Sequence, residues 1–137
     1  SYSRREAVRE RLAETLNERL GVDGPVVIGD CGVVGYRTRA RVLDALCLND
    51  RETARPGIRD DPARRAESLL ARDPDAVVIH SLSPDRLVPR PESGIFRALV
   101  ENEALWRRYA LSRVIPGVGD GFSYFVFERG PTAEASP

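Results

Sequence analysis

A chain of 137 residues, of which 42% are hydrophobic, is long enough to form one compact domain with a sizeable core. Its 21 basic residues are balanced by 21 acidic ones, so it has no global positive field of the kind that nucleic-acid-binding domains use. Every apolar run is far shorter than the roughly eighteen residues that can cross a bilayer.

The amino-acid usage is skewed. All basic residues other than the single histidine are arginine, and lysine, glutamine and methionine are absent. Because a natural reading frame begins with methionine, we expect this chain to be a domain excised from a longer protein. We predict a single α/β domain over residues 1–129, followed by a flexible tail over residues 130–137.

The first predicted elements are a helix and two strands. Ser3 and Glu6 have capping-box spacing, and apolar residues recur at every fourth position from Val8 to Leu20, which predicts an amphipathic helix over residues 4–20. Apolar runs then predict buried strands over residues 25–29 and 42–48.

The second half begins with a crossover. Asp61-Pro62 predicts the start of a helix over residues 62–72, and residues 75–80 form a third apolar strand, so a parallel βαβ unit is expected. Three prolines in residues 81–92 predict an extended, exposed loop. A helix over about 93–102 with a short continuation follows, and then strands over 109–115 and 122–128.

Together these elements predict an α/β fold. We expect a three-layer Rossmann-like sandwich whose mostly parallel sheet is closed by a C-terminal antiparallel hairpin. The glycines that follow the first strand do not fit a nucleotide-binding fingerprint: they stand at positions 29, 32 and 35 rather than in G-x-G-x-x-G spacing, and no P-loop lysine is present. Tight turns are the favoured interpretation of this segment.

Candidate ligand-binding residues cluster after the second strand. Asp44 interrupts an apolar run, so its carboxylate either faces a polar crevice or pairs with Arg37, Arg39 or Arg55, and we favour a structural ion pair. Asn49 and Asp50 follow at the carboxyl end of the strand, where open α/β sheets bind ligands. Any small ligand is therefore expected at this edge.

The remaining chemically distinctive side chains give weaker signals. His80 has no neighbouring nucleophile or metal-ligand spacing, so a structural role is favoured over catalysis. Cys31 and Cys47 lack zinc-site spacing; they either form one disulfide in an oxidising compartment or remain two separate buried thiols. Trp106 and Tyr109 have rings that can stack on a sugar, but the helical register of Trp106 with Leu99 favours core packing.

Two segments carry a family resemblance. VVIGDCGVVGYRTRARVLDALCLNDRETAR and RDPDAVVIH resemble the soluble C-terminal domain of bacterial polyprenyl-phosphate-dependent membrane glycosyltransferases of the GT-C type, such as arabinofuranosyl- and mannosyltransferase-like enzymes. The resemblance covers most of residues 5–80. The matching residues are Tyr36, Asp44, Leu48, Asp50, Ala54, Arg55, Leu70, Arg72, Pro74 and Asp75. The chain departs from the pattern at Cys31, at Cys47, which replaces a glycine, and between Arg55 and Arg65, where a Gly-His pair is missing.

The resemblance implies a non-catalytic domain on the extracytoplasmic face of the cell membrane. Glycosyl transfer from a lipid-linked sugar would take place on the membrane-embedded part of the parent chain, with a catalytic carboxylate that this chain lacks. The domain would bind acceptor glycan or brace the transmembrane part, its partners would be that part, the glycan acceptor or the lipid-linked sugar, and no nucleic acid, cofactor or metal is implied. The expected ligand-binding residues are Tyr36, Asp44, Asn49, Asp50 and Arg55.

An alternative from another class uses the same strand ends. A stand-alone Rossmann-like enzyme would bind a nucleotide or a similar cofactor there. The two hypotheses differ in what the encoding gene contains upstream of this domain, since only the first requires many apolar spans.

Overall fold

A computed structural model of the chain describes residues 4–19, 24–29, 41–46, 57, 61–117 and 121–130. Its helices are α1 (Arg4–Arg19), α2 (Pro62–Ala71), α3 (Ile95–Glu101) and α4 (Glu103–Arg108), and a short 3₁₀ turn (Glu92–Gly94) precedes α3. Its strands are β1 (Pro25–Ile28), β2 (Arg41–Asp44), β3 (Ala76–Ser81), β4 (Tyr109–Ile115) and β5 (Ser123–Arg129). The predicted helices and strands are thus confirmed, with shifts at their ends. The largest is in β2, which ends at Asp44 and is followed by a turn, although the strand was predicted over residues 42–48, of which 47 and 48 lie outside the described residues.

The five strands form one sheet in the order β2-β1-β3-β5-β4. β1 pairs in parallel with β2 over four residue pairs and with β3 over two. β5 pairs antiparallel with β3 and with β4, over six residue pairs each. The prediction of a mostly parallel, Rossmann-like sheet is therefore wrong, because β5 inserts between β3 and β4 and most of the strand pairing is antiparallel.

Helices cover both faces of this sheet. α1 packs on one face and α2, α3 and α4 on the other, so alternate residues of each inner strand enter different cores. In β3, for example, Val78 packs in the α1 core whereas Val77 and Ile79 pack in the opposite one. Every residue of β3 is buried, which explains its continuous apolar sequence.

The N-termini of α2 and α4 are set by side-chain caps. The Asp61 carboxylate accepts hydrogen bonds from the backbone N–H groups of Ala63 and Arg64, at 3.1 and 3.3 Å. Asn102 separates α3 from α4: its backbone is extended, and its side chain accepts from Ala104 N at 2.9 Å. This break shifts the helical phase between Leu99 and the residues after it.

The prediction that Trp106 packs in the core is wrong for that reason. Leu105 takes the buried position in α4, and Trp106 is 55% exposed. A continuous helix would have placed Trp106 on the same side as Leu99. The Asn102 cap removes that relationship.

The amino ends of β1, β3 and β4 lie at one edge of the sheet, the amino edge, which polar contacts hold together. The Tyr109 hydroxyl donates to the Pro74 carbonyl at 2.6 Å, and burial is the main cause that raises the pKa of Tyr109 to about 12. Arg129 pairs with Asp73 at 2.5 Å and with Asp75 at 2.6 Å. These contacts fix the start of β4 and the end of β5 to the turn that precedes β3.

The proline-rich segment after β3 folds back onto that strand. The buried Ser81 hydroxyl accepts a hydrogen bond from Val88 N at 2.9 Å, and Ser81 forms an isolated antiparallel bridge with Pro89. Arg90 N donates to the His80 carbonyl at 2.8 Å. The loop thereby places the Arg90 side chain beside the carboxyl end of β3. No helix in the described part of the chain combines the length and apolar character needed to span a membrane.

Candidate functional site

The carboxyl ends of β1, β2 and β3 lie together at the other edge of the sheet, the carboxyl edge. Of the residues predicted to bind a ligand there, the structure describes Asp44. The other four, Tyr36, Asn49, Asp50 and Arg55, lie outside the described residues, as do Cys31 and Cys47. Their predicted roles stay predictions.

Asp44 is the last residue of β2 rather than an interruption in its middle. It is 3% exposed, and its Oδ1 atom accepts a hydrogen bond from Leu46 N at 2.9 Å. This contact of a carboxylate with a backbone two residues ahead is an Asx turn. The backbone of the turn is also fixed to β1, because Ala45 N donates to the Ile28 carbonyl at 2.8 Å. The three arginines predicted as partners of Asp44 lie outside the described residues.

The connections diverge between β1 and β3. From β1 the chain continues to β2 on one side, whereas from β3 it continues towards β4 and β5 on the other. Ligands of open α/β sheets bind at such a divergence, at the carboxyl ends of the strands. Gly29, directly after β1, and His80 in β3 flank this point.

His80 is enclosed by aromatic rings at this position. Its ring stacks on Phe96 of α3 with centroids 4.5 Å apart and an interplanar angle of 17°. Tyr124, its partner in the β3–β5 register, meets it edge-on at 5.0 Å, and Phe122 lies 5.9 Å away. The imidazole is 2% exposed, so the strand, α3 and the start of β5 together exclude water from it.

Arg90 determines which nitrogen of the imidazole carries the proton. Its Nη1 lies 3.4 Å from His80 Nδ1, and a guanidinium can only donate, so Nδ1 accepts and the proton of the neutral ring lies on Nε2. Nε2 is buried and finds no hydrogen-bond partner among the described residues. Burial, Arg90 and Arg9 lower the pKa of His80 from 6.5 to about 3, in that order of size, so the ring is neutral at physiological pH.

Arg90 is itself held by two contacts. Its guanidinium lies over the Phe122 ring, 4.5 Å from the centroid, and its Nε pairs with the Glu92 carboxylate. The hydrogen bond from Arg90 lowers the pKa of Glu92. The carboxyl edge next to β3 therefore has a fixed cation above a neutral histidine.

Phe96 fills the space beside Gly29. A Cβ atom added to Gly29 would lie 2.7 Å from Phe96 Cζ and 2.9 Å from Leu46 Cγ. The glycine thus allows an aromatic ring of α3 to approach the end of β1. The point of divergence between β1 and β3 is occupied by protein side chains.

Sequence reasoning favoured a structural His80, and its enclosure agrees with that interpretation. The sequence did not reveal the neighbours of the His80 ring, which are Arg90, Phe96 and Phe122. They come from a loop, a helix and the residue before a strand, and no local spacing links them to position 80. The available signal was the pair Phe122 and Tyr124, because side chains two positions apart lie on the same face of an extended chain.

Comparisons with known proteins give one match. No curated protein and no solved structure matches the chain. The model of one protein family, described as Domain of unknown function (DUF8728), matches residues 1–127. Because this match covers more than half of the 137 residues, the chain belongs to the family described as Domain of unknown function (DUF8728).

Proposed function

We propose that this chain is a non-catalytic domain of a membrane glycosyltransferase that acts in cell-envelope glycan assembly. The proposal rests on the resemblance of residues 5–80 to the soluble C-terminal domains of GT-C enzymes. The domain would lie on the extracytoplasmic face of the membrane, contact the transmembrane part of its parent chain, and hold the acceptor glycan or brace that part.

One structural observation supports a non-catalytic role: three of the described residues that carry the resemblance, Asp44, Pro74 and Asp75, fix the ends of strands. Asp44 caps the turn after β2, Pro74 accepts the Tyr109 hydroxyl, and Asp75 pairs with Arg129. Leu70 is buried in the core. A pattern whose residues stabilise the fold indicates a shared scaffold rather than a shared catalytic centre.

The occupied point of divergence supports the same conclusion. Phosphate groups of a bound nucleotide need close access to the backbone after the first strand. In this chain Phe96 lies against Gly29 at that place, and His80 stacks on Phe96. These contacts favour a scaffold over a nucleotide-dependent enzyme.

The origin of the domain can be tested by sequencing the encoding gene upstream of the Ser1 codon. We expect an open reading frame that continues into many apolar spans, and deletion of the present domain from that protein should impair glycan assembly in cells. A short upstream sequence with its own start codon would contradict the proposal. Saturable nucleotide binding by calorimetry would favour the alternative enzyme.

Two substitutions of Asp44 separate a role in the turn from a role in binding. Asp44→Ala removes the acceptor for Leu46 N and should cost about 1 kcal/mol of stability. Asp44→Asn keeps an oxygen acceptor at the same place and removes the charge. If the charge contacts a glycan or the membrane part, Asp44→Asn should lower complementation by the full-length protein by more than it lowers the amount of folded protein. Normal complementation by Asp44→Asn would show that the Asp44 charge is not needed for binding.

A further inference from the structure

Trp106 is exposed and yet fixed in place. Its indole N–H donates to the Val100 carbonyl at 2.6 Å, and its ring meets Phe127 edge-to-face, with centroids 5.5 Å apart and an angle of 86°. The polar atom of the indole is thus satisfied inside the protein, and the exposed part of the side chain is aromatic surface alone. A ring held in this way loses little conformational entropy when a ligand stacks on it.

The surroundings of Trp106 are apolar on one side and charged on the other. Leu111, the β4 partner of Phe127 in the sheet register, is 48% exposed. Glu103 and Arg107 are exposed on the same six-residue helix, three residues before and one residue after Trp106. Both charged residues also line an open cleft of about 510 Å³ between α2 and α4, together with Glu67, Asn102 and Arg108, whereas Trp106 itself does not line it.

We infer that Trp106 is a stacking platform for a sugar ring of a short neutral oligosaccharide. The apolar C–H face of the sugar would lie on the indole, and its hydroxyl groups would donate to Glu103 and accept from Arg107. This site is at the amino edge of the sheet, away from the residues predicted to bind a ligand at the carboxyl edge.

The size of the patch argues for a small ligand. A stable protein interface buries about 800 Å² on each partner. A tryptophan side chain offers roughly 150–250 Å² when fully exposed, and Trp106 and Leu111 are each only about half exposed. The apolar surface therefore suits one ring better than a protein partner.

Charge distinguishes a sugar from a nucleic acid. Proteins that stack single-stranded bases surround their aromatic residues with a basic groove. Here the two arginines of the cleft, Arg107 and Arg108, are balanced by the carboxylates of Glu67 and Glu103, so the surface is not a basic groove, and its charged groups can bond to hydroxyl groups. The choice of a sugar over an isolated nucleobase rests on the proposed function.

The chain has a single tryptophan, so its intrinsic fluorescence reports directly on this site. We expect saturable changes in emission with mannotriose or an arabinofuranose trisaccharide, and none with uridine monophosphate. Loss of one stacking contact predicts about tenfold weaker binding for Trp106→Ala, measured by saturation-transfer NMR. Leu82→Ala is the matched control, because Leu82 is equally exposed, at 56%, but follows β3 at the opposite edge.

A second variant guards against a folding defect in Trp106→Ala. The double variant Glu103→Ala/Arg107→Ala leaves the indole contacts intact and should weaken saccharide binding with an unchanged melting temperature. The inference is overturned if neither saccharide binds, if uridine monophosphate binds as well as the saccharides, or if emission changes only through self-association. The two tests fail separately. If the gene encodes apolar spans upstream but the domain binds no sugar, the inference about Trp106 is wrong and the proposed function stands. If the domain binds sugar but the gene encodes no such spans, the proposed function is wrong and the inference about Trp106 stands.

Discussion

The buried neutral His80 makes the stability of the domain depend on pH. Its pKa is about 3 in the folded chain and 6.5 when unperturbed. Between these values the unfolded chain binds a proton that the folded chain does not, so the free energy of unfolding rises with pH across this window. The contribution of the neutral His80 ring to the free energy of unfolding is fully present above about pH 6.5 and is lost as the pH falls towards 3.

The size of the effect follows from the two pKa values. Each pH unit inside the window is worth about 1.4 kcal/mol, so lowering the pH from about 7 to about 4.5 should remove roughly 2.5 kcal/mol. The cations that face the ring, Arg90 from the loop and Arg9 from α1, both oppose its protonation. A loss of this size is a large part of the stability of a typical domain.

Urea unfolding of the wild-type chain and of His80→Phe tests this value. Phenylalanine suits the aromatic surroundings and does not titrate, and the effects of other groups, such as Glu92, are shared by both proteins and cancel in the difference. We expect the wild-type chain to lose stability relative to the variant by about 1.4 kcal/mol per unit below pH 6.5. Because His80 is the only histidine, ¹⁵N NMR of its ring should also show no protonation above about pH 4. A stability difference that does not change with pH would refute the reasoning.

Three further predictions concern packing and the amino edge. Tyr109→Phe should lower the free energy of unfolding in urea by about 1–2 kcal/mol, because it leaves the buried Pro74 carbonyl without its 2.6 Å donor. An unchanged urea midpoint would show that water replaces the hydroxyl. A double-mutant cycle of Arg129→Ala and Asp75→Ala should give a coupling free energy of at most about 1 kcal/mol, since the Arg129 side chain is 34% exposed. A coupling free energy near zero would mean that water screens the pair completely. Gly29→Ala should lower stability by about 1–3 kcal/mol through the clash with Phe96, and Phe96→Leu in the same chain should cost less than the sum of the two single changes.

The helices and strands were predictable because their signals are local. Apolar residues at every fourth position of α1 and the Asp61-Pro62 start of α2 depend on neighbours within one or two turns. The strand order was not predictable in the same way. A hairpin pattern indicates that β4 pairs with β5, but it does not show which of the two strands joins the rest of the sheet.

The position of β5 depends on contacts that are remote in sequence. Tyr124 meets His80 and Phe125 pairs with Ile79 across the β3–β5 register, more than forty positions apart. β5 is also the more buried strand of the hairpin, whereas β4 exposes several residues. This difference in apolar content was visible in the sequence, and it favours β5 as the inner strand.

The error at Trp106 has a local cause that the sequence also contained. Asn102 followed by Glu103 is a typical helix N-terminus, and the Asn102 side chain indeed caps α4. Treating the residues after 102 as a continuation of the helix over about 93–102 carried the phase of Leu99 across that cap. The candidate sugar platform was therefore assigned to the core.

The two edges of the sheet differ in how they should respond to substitution in a full-length glycosyltransferase. At the amino edge Pro74 accepts the hydroxyl of Tyr109 in β4, and Asp75 pairs with Arg129 in β5. Variants of these residues should therefore reduce glycan assembly only in proportion to the loss of folded protein. At the carboxyl edge a charge-removing variant such as Asp44→Asn keeps the acceptor for Leu46 N, so any loss of glycan assembly beyond the loss of folded protein would come from the missing charge. Measuring membrane abundance and glycan product for both kinds of variant separates scaffold from contact surface. If Asp44→Asn lowers product only as far as it lowers abundance, Asp44 belongs to the scaffold too, and the contact with the glycan or the membrane part must lie elsewhere.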